Sequence, residues 1–225
     1  MDWSPILISL KTGAVSIFFT FFLGLFAAWL VVSRKKESTK VVLDGLFTMP
    51  LVLPPTVAGF FLLLVFGANG LVGKLALSVF GFKIAFSWVA TVLAAIVISF
   101  PLMYRTTRGA LEQVDRDMID AGRTLGMSEA AIFFRVMVPN ASAGIVSAAI
   151  LSFARGLGEF GATAMIAGNI PGRTRTLPLA VYSKAAGGDM AGAGVYVLII
   201  LGICLAAVVV MNLYQIKVKK ERSDR

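Results

Sequence analysis

Five long stretches of the chain carry no charged residue, and they limit the possible folds more than any other feature. They are residues 12–33, 45–73, 84–104, 136–154 and 190–216. Each is close to or above the ~20 apolar residues that a helix needs to cross about 30 Å of hydrocarbon. Only 15% of the residues are charged, against about 25% in soluble proteins. The sequence therefore predicts an all-α integral membrane protein with five transmembrane helices.

Lysine and arginine residues indicate the orientation of these helices. With the N-terminus outside, the inner segments 33–44, 105–135 and 217–225 hold fourteen of them, and the outer segments hold six. Because positive residues favour cytoplasmic loops, the N-terminus is predicted outside and the C-terminus in the cytoplasm. Most of the net charge of +9 is then a signal of topology. Nucleic-acid binding is the weaker interpretation, since the basic residues form no aromatic-interleaved patch on one domain.

Side chains suited to covalent or metal chemistry are scarce. The chain has no histidine and a single cysteine, Cys204, inside the last apolar stretch. A zinc or haem site and a catalytic constellation are therefore not expected. We predict no catalytic residue, no cofactor and no metal. The chain also lacks the Gly-x-x-x-x-Gly-Lys-Ser/Thr pattern of a P-loop, so any ATP hydrolysis must come from another polypeptide.

Residues 105–139 form one strongly polar segment between apolar stretches, with five arginines and five acids. Within it, four small or apolar residues recur at helical spacing and predict a narrow apolar stripe on a charged helix. These four residues are Met118, Ala121, Gly122 and Leu125. The segment is either a mildly amphipathic helical elbow at the membrane surface or an ordinary solvated loop.

Single residues indicate where the helices of such an elbow end. Gly126 can end the first helix in the left-handed conformation. Ser128 can cap a second short helix that runs through Phe134. Pro139 suits the opening turn of the next long helix, where a missing N–H costs nothing.

The second apolar stretch contains three prolines, Pro50, Pro54 and Pro55. Because proline removes a backbone hydrogen bond, this span is predicted to be kinked, or to start late near Pro54. Freed carbonyls at membrane depth are tolerated where they are buried in protein or face a watery cavity. The prolines therefore either serve packing alone or lie along a pathway, and Pro54 and Pro55 are candidate pathway residues.

The fourth span carries two charges, Arg155 and Glu159, four residues apart. If this span runs from Pro139 to near Ile170, both lie inside the apolar zone and share a helical face. Charges in a membrane are costly, so these two are expected to pair with each other, with other helices or with cavity water. They are either a bridge that fixes packing or, with Thr163, part of a pathway or gate.

The segment 168–184 carries three basic residues on the predicted outer side. It is either a flexible solvated loop or a surface whose positive field meets an anion or an anion-loaded partner. At the other end of the chain, residues 217–225 are basic and are predicted to form an unstructured cytoplasmic tail.

The spacing within 105–139 resembles the cytoplasmic loop signature of ABC importer permeases. That signature is Glu-Ala-Ala, a glycine four residues beyond the last alanine, and an Ile-x-Leu-Pro end. Here it reads Asp120-Ala121-Gly122, then Gly126, then Val136-Met137-Val138-Pro139. In that family the elbow is a coupling helix that docks on a separate ATPase subunit. The resemblance therefore implies a set of ATPase-coupling residues: Asp120, Ala121, Gly122, Leu125, Gly126 and Pro139.

A wider resemblance covers residues 8–213, as a single transmembrane domain followed by a basic tail, 214–225. The stretches FARGLGEFGA (153–162), NIPGRTRTLP (169–178), MPLVLPP (49–55) and AGRTLG (121–126) are similar to the permease subunits of molybdate importers. The resemblance implies a type I ABC importer fold, like that of methionine importers, in the bacterial inner membrane.

The same resemblance implies the partners. They are a second copy of the chain, cytoplasmic P-loop ATPase subunits, an extracytoplasmic oxyanion-binding protein and membrane lipid, with molybdate as the transported ion. Tungstate and sulfate stay as alternatives, because the Gly-Glu-Phe-Gly element is shared with sulfate permeases. An ion-driven secondary transporter is a further alternative, but such proteins often show inverted repeats, and these five spans show none.

Overall fold

In a computed structural model, which describes residues 2–34 and 36–223, every regular element of these residues is a helix. These residues form twelve α-helices and one π-helical turn, Phe133–Met137, and contain no strand. The helices are α1 (Ser4–Val32), α2 (Glu37–Val52), α3 (Pro55–Phe66), α4 (Leu71–Phe80), α5 (Trp88–Glu112), α6 (Arg116–Thr124), α7 (Glu129–Ile132), α8 (Val138–Asn140), α9 (Ser142–Leu157), α10 (Gly161–Ala167), α11 (Leu177–Ala186) and α12 (Met190–Ser223).

Three of the described helices are individually long and apolar enough to cross a membrane: α1, α5 and the Met190–Val218 part of α12. Two further candidates are bent pairs. The helices α2 and α3 meet at 107°, and the run Glu129–Asn140 meets α9 at 77°. The described chain thus offers three straight spans, or up to five if each bent pair counts as one.

Helix α5 lies at the centre of the bundle and packs against α1 and α9. Hydroxyl groups pair along the contact with α1, at 3.0 Å between Thr12 and Thr91 and 3.3 Å between Thr20 and Ser99. The Trp88 indole N–H also donates to the Thr12 hydroxyl. Apolar burial drives little association in lipid, so packing and such interhelical hydrogen bonds align α1 with α5.

The proline-rich span is broken more sharply than the predicted kink. Helix α2 ends at Val52, and Leu53 and Pro54 both have extended backbone, with ψ of 141° and 134°. A residue before proline is pushed out of the helical region, and two such residues stand in succession here. Helix α3 then begins at Pro55, because proline is well suited to a first helical position.

The fourth predicted span is also divided. Helix α9 ends at Leu157, and α10 begins at Gly161. The expected continuous helix to Ile170 is therefore wrong, and the glycines at 156, 158 and 161 explain the break, since glycine weakens helices.

The sequence predicted that Pro139 opens the next long helix, and this prediction is wrong. Pro139 lies in α8, directly after the π-helical turn, and the long helix α9 begins only at Ser142. The π turn already interrupts the regular i→i−4 hydrogen-bond pattern, and Pro139, which has no N–H to donate, follows it in the first turn of α8. The chain then bends at Ala141 instead of continuing straight.

The two broken spans contact each other at their breaks. A Cβ atom added to Gly59 of α3 would lie 2.7 Å from the Cα of Ala162 in α10. One added to Gly161 would lie 3.1 Å from the Cβ of Pro55. Glycine at both positions thus lets the backbones of α3 and α10 approach closely.

Helix α12 packs on α11 and α9 at the side of the bundle. Its Tyr196 hydroxyl donates to the Asp2 carbonyl at 2.7 Å. The helix continues through Ser223, so the prediction of an unstructured tail from Lys217 is wrong up to that residue. Residues 224–225 of the predicted tail lie outside the described residues, as does Lys35 of the predicted inner segment 33–44.

Candidate functional sites

The polar segment between α5 and α9 folds as a helical elbow. Asp115 caps α6 by accepting a hydrogen bond from the Asp117 N–H at 2.9 Å. Gly126 has a φ of +74° and ends the helix in the left-handed conformation, as the sequence predicted. Ser128 caps α7 by accepting from the Ala131 N–H at 3.2 Å. The helical path then runs beyond the expected end at Phe134, through the π turn.

Two sets of contacts hold the halves of the elbow together. Gly122 is buried against α7, where an added Cβ would lie 3.2 Å from Ile132 Cγ1. Arg123 binds acids on both helices, at 2.8 Å to Glu129 Oε1 and 2.8 Å to Asp120 Oδ1. The hydrogen bonds to Glu129 and then to Asp120 raise the pKa of Arg123 above its usual range. The angle between α6 and α7 is therefore fixed by both packing and charge.

The predicted apolar stripe of the elbow faces mostly outward. Leu125 is 81% exposed and Met118 50% exposed. Ala121 is exposed as well, whereas Gly122 is turned inward. The structure thus gathers Asp120, Ala121, Gly122, Leu125 and Gly126 on one elbow, and Pro139 lies beyond the π turn. An exposed apolar stripe bordered by charges is suited to docking another protein.

Arg155 and Glu159 form an ion pair at the break between α9 and α10. Arg155 Nη1 donates to Glu159 Oε2 at 2.8 Å, and the Ala162 N–H donates to Oε1, also at 2.8 Å. The glutamate side chain is 2% exposed, whereas the arginine side chain is 34% exposed. Glu159 is therefore a fixed anion that holds the start of α10, and Arg155 retains an accessible side.

The other predicted pathway residues surround the same break. Thr163 is buried in α10, and Pro55 faces Gly161 across the α3–α10 contact. Pro54 is exposed. Both broken spans thus bring their irregular backbone to one region of the bundle.

A charged network that the sequence analysis missed joins α2 to α5. Asp44 Oδ1 accepts hydrogen bonds from the Tyr104 hydroxyl at 2.8 Å and from Arg108 Nη1 at 2.6 Å. Arg108 Nε also donates to Glu112 Oε1 at 2.8 Å. We call these four residues the α2 clasp. The spacing of Arg108 and Glu112 was visible in the sequence, but no local pattern could pair them with a residue of another helix.

The segment 168–176, which the sequence predicted to lie outside, is more ordered than a flexible loop. The Ile170 carbonyl accepts from the N–H groups of Arg173, Thr174 and Arg175. The Arg175 guanidinium donates to the Asn169 side chain at 2.8 Å. Arg173, within this turn, is exposed. The segment therefore presents positive charge on a defined turn.

The described part of the chain holds no group of three or more His, Cys, Asp or Glu residues placed to bind a metal.

The helical bundle, the elbow and the broken spans together have the form of a transporter's membrane subunit. Residues 20–222 match the family model of the binding-protein-dependent transport system inner membrane component. The chain belongs to this family, so it is the membrane component of a transport system and not itself an enzyme.

Relatives within the family carry more specific names. The chain is 41% identical over 227 residues to the molybdenum transport system permease protein ModB of Escherichia coli K12, covering 100% of this chain and 97% of the relative. It is 37% identical over 219 residues to the putative molybdenum transport system permease protein YvgM of Bacillus subtilis, covering 97% and 93%.

The fold is similar to solved importer structures. The inward-facing MetNI methionine ABC transporter aligns with a TM-score of 0.70 at 20% identity, covering 93% of this chain and 94% of the other. At this identity the likeness concerns the fold alone, and it gives this chain the fold of an ABC importer permease.

Proposed function

We propose that the chain is the permease of an ATP-driven importer that carries molybdate into the cell. The observation that supports this best is the full-length similarity to molybdenum permeases. In this proposal each bent pair is one span, which makes five spans within a domain of residues 8–213, followed by the basic tail 214–225. The N-terminus lies outside and the C-terminus in the cytoplasm, on the basis of the lysine and arginine distribution.

The elbow is the proposed coupling helix that docks on an ATPase subunit. It offers Leu125 and Met118 as exposed apolar contacts, and Asp120 and Arg123 as charged ones. The ion pairs of Arg123 make the elbow rigid. A displacement of the elbow by the ATPase is therefore transmitted to the helical bundle. ATP hydrolysis in the partner then changes the arrangement of the spans, and this chain supplies no covalent chemistry.

The proposed path for the anion passes two breaks, one between α2 and α3 and one between α9 and α10. Irregular backbone is tolerated at membrane depth where it faces protein or a watery cavity, and both breaks meet there through α3 and α10. Arg155 gives this region an accessible positive charge, while Glu159 offsets most of it. A nearly neutral pair binds an oxyanion weakly, and weak binding allows the ion to leave again.

The proposed assembly contains two copies of the chain, two ATPase subunits below and an oxyanion-binding protein above, in the bacterial inner membrane. The exposed arginine on the turn 168–176 supports a contact with the loaded binding protein, since its positive field attracts anionic surfaces. Selection of the ion would then occur in the binding protein.

Uptake by the reconstituted complex tests the proposal. Proteoliposomes with this chain, its ATPase and its binding protein should import molybdate only with ATP inside and binding protein outside. Competition with tungstate and sulfate then ranks the three oxyanions. Stronger competition by sulfate than by unlabelled molybdate would make this a sulfate permease. Uptake driven by an ion gradient without ATP would make it a secondary transporter.

A further inference from the structure

Helix α2 is attached to the bundle through one narrow face. Its Phe47 ring packs edge-on against Tyr104, with the ring centres 5.2 Å apart. On the opposite side, Val42 and Leu46 are 69% and 58% exposed. Thr48 is the one residue of the helix that is classed as buried. The α2 clasp supplies the polar part of this attachment. Helix α2 is therefore a segment that can move unless the clasp holds it.

The clasp lies next to the elbow at one end. Glu112 is the last residue of α5, and α6 begins at Arg116. Leu111 and Val114 are buried in the same hydrophobic cluster as Ile132 of the elbow. The clasp-bearing end of α5 and the elbow are therefore packed as one body.

At its other end, α2 leads to the 107° break before α3. The backbone at Leu53 and Pro54 is extended, and no α-helical hydrogen bond ties α2 to α3 across Pro54 and Pro55, since proline has no N–H. A change of angle there costs little in hydrogen bonding. The clasp thus lies between the elbow and the point at which the span can bend.

The ion pair of the clasp is partly shielded from solvent and shares a carboxylate oxygen with a buried tyrosine. Arg108 and Asp44, whose ion pair joins the two helices, have side chains only 23% and 33% exposed. Tyr104 is fully buried and shares the carboxylate oxygen that binds Arg108. In an ion pair shielded from water in this way, loss of one partner leaves the other charge uncompensated, which is destabilising.

We propose that the α2 clasp transmits the movement of the elbow to the broken span. Arg108 holds Asp44 so that α2 moves with α5 as one body, and the angle at Leu53–Pro54 takes up the displacement. Arg108 and Tyr104 are then positioning residues for transport. The inference rests on the proposed docking of an ATPase at the elbow, and it adds the route by which that docking acts on the pathway.

The first experiment compares uptake per ATP hydrolysed in proteoliposomes of the complete importer complex. Arg108→Met should leave the ATPase bound and hydrolysing but lower the ions imported per ATP by about tenfold, a usual size for coupling between sites. Tyr104→Phe, which removes one hydrogen bond to Asp44, should lower the ratio in the same direction by a smaller factor. Arg105→Met is the matched control, because Arg105 is exposed on the same helix, and it should keep the wild-type ratio.

A covalent replacement of the clasp separates a transmitting role from a merely stabilising one. Asp44→Cys and Arg108→Cys are combined in a Cys204→Ser background, which removes the native thiol. Without a link between the two cysteines, this variant should import few ions per ATP. When a short bifunctional thiol reagent joins the two cysteines, it should regain most of its uptake per ATP.

Two results would overturn the inference. One is a wild-type ratio in Arg108→Met and in the unlinked cysteine pair. The other is inhibition by the link, since α2 must then leave α5 during each cycle. The wild-type complex, measured in the same experiment, distinguishes failure of the proposed importer function from failure of the proposed role of the clasp. Absence of ATP-driven uptake there contradicts the proposed function, whereas normal coupling in the variants contradicts the clasp alone.

Discussion

Arg123 and Glu129 join across the turn of the elbow through two parallel hydrogen bonds, Nε to Oε1 at 2.8 Å and Nη2 to Oε2 at 3.2 Å. Gly126 lies midway between them in the chain. A two-pronged pair fixes direction as well as distance. The turn is therefore held by a glycine that permits it and an ion pair that orients it, and each can be tested separately.

Loss of the ion pair should weaken ATPase docking in a salt-dependent way. Glu129→Gln keeps the side-chain size but removes its charge, so the orientation of the elbow should loosen. Both partners are more than half exposed, so salt screens the pair and folding should change little. We expect severalfold weaker ATPase binding at low ionic strength and nearly equal binding at high salt. Asp117→Asn, an exposed change on α6, is the control and should follow the wild type at both.

Gly126→Val should uncouple the permease from its ATPase. A β-branched residue resists the φ of +74° at this position, so the elbow should be displaced while the spans keep their contacts. The variant should insert normally but lose ATP-dependent uptake and copurify poorly with the ATPase.

The matched control for this change is Gly202→Val. Gly202 lies in α12 and has no atom within 4 Å of an added Cβ, so uptake should stay normal. Normal transport by Gly126→Val with a normally bound ATPase would reject the coupling assignment, and the segment would then be only a solvated loop.

Glu159→Gln should impair assembly or uptake. A glutamine can still accept from the Ala162 N–H, but it leaves Arg155 without a counter-ion, at a cost of a few kcal/mol when the site is desolvated. Adding Arg155→Met should restore part of the membrane-inserted protein. Quantifying the protein in membranes alongside uptake checks both effects. Wild-type behaviour of the single variant would mean that water solvates the pair.

Gly59→Leu should force α3 and α10 apart. The added Cβ would meet backbone atoms of Ala162, at 2.7 Å from Cα and 2.9 Å from the carbonyl oxygen, and backbone cannot move aside easily. Overpacking of this kind costs about 1–3 kcal/mol, so the purified protein should unfold at a lower temperature. Gly45→Leu, at an exposed position of α2 with open space around it, should not.

Reporter fusions test the orientation. A reporter active only in the cytoplasm should be active when fused after Arg225 or within 105–135, and silent when fused at Leu77. The reverse pattern would contradict the lysine and arginine distribution from which the topology was predicted.

The sequence predicted the helical class and much of the elbow because those features are local. A glycine four residues after Gly122 and a serine at 128 have strong conformational preferences whatever surrounds them. Family resemblance supplied the rest of that prediction, including the role of the segment. The overall hydrophobic pattern likewise needs no tertiary information.

The breaks and the clasp depended on more than local sequence. Proline and glycine indicated that helices would weaken near residues 54 and 158, but the 107° angle between α2 and α3 also depends on how α3 packs against α10. The clasp joins Asp44 to Tyr104, 60 residues away, and no periodicity within one helix reveals such a pair. The sequence could not predict which distant residue each single charge contacts.

The bond from Tyr196 to the Asp2 carbonyl joins positions 194 residues apart. A ribosome adding about 5–20 residues per second makes the second partner roughly 10–40 seconds after the first. Through that interval the segment before α1 has no Tyr196 to bind, although α1 and α5 can already pair. The bond therefore forms only after α12 has been made, and nascent chains stalled before residue 196 should leave that segment open to protease.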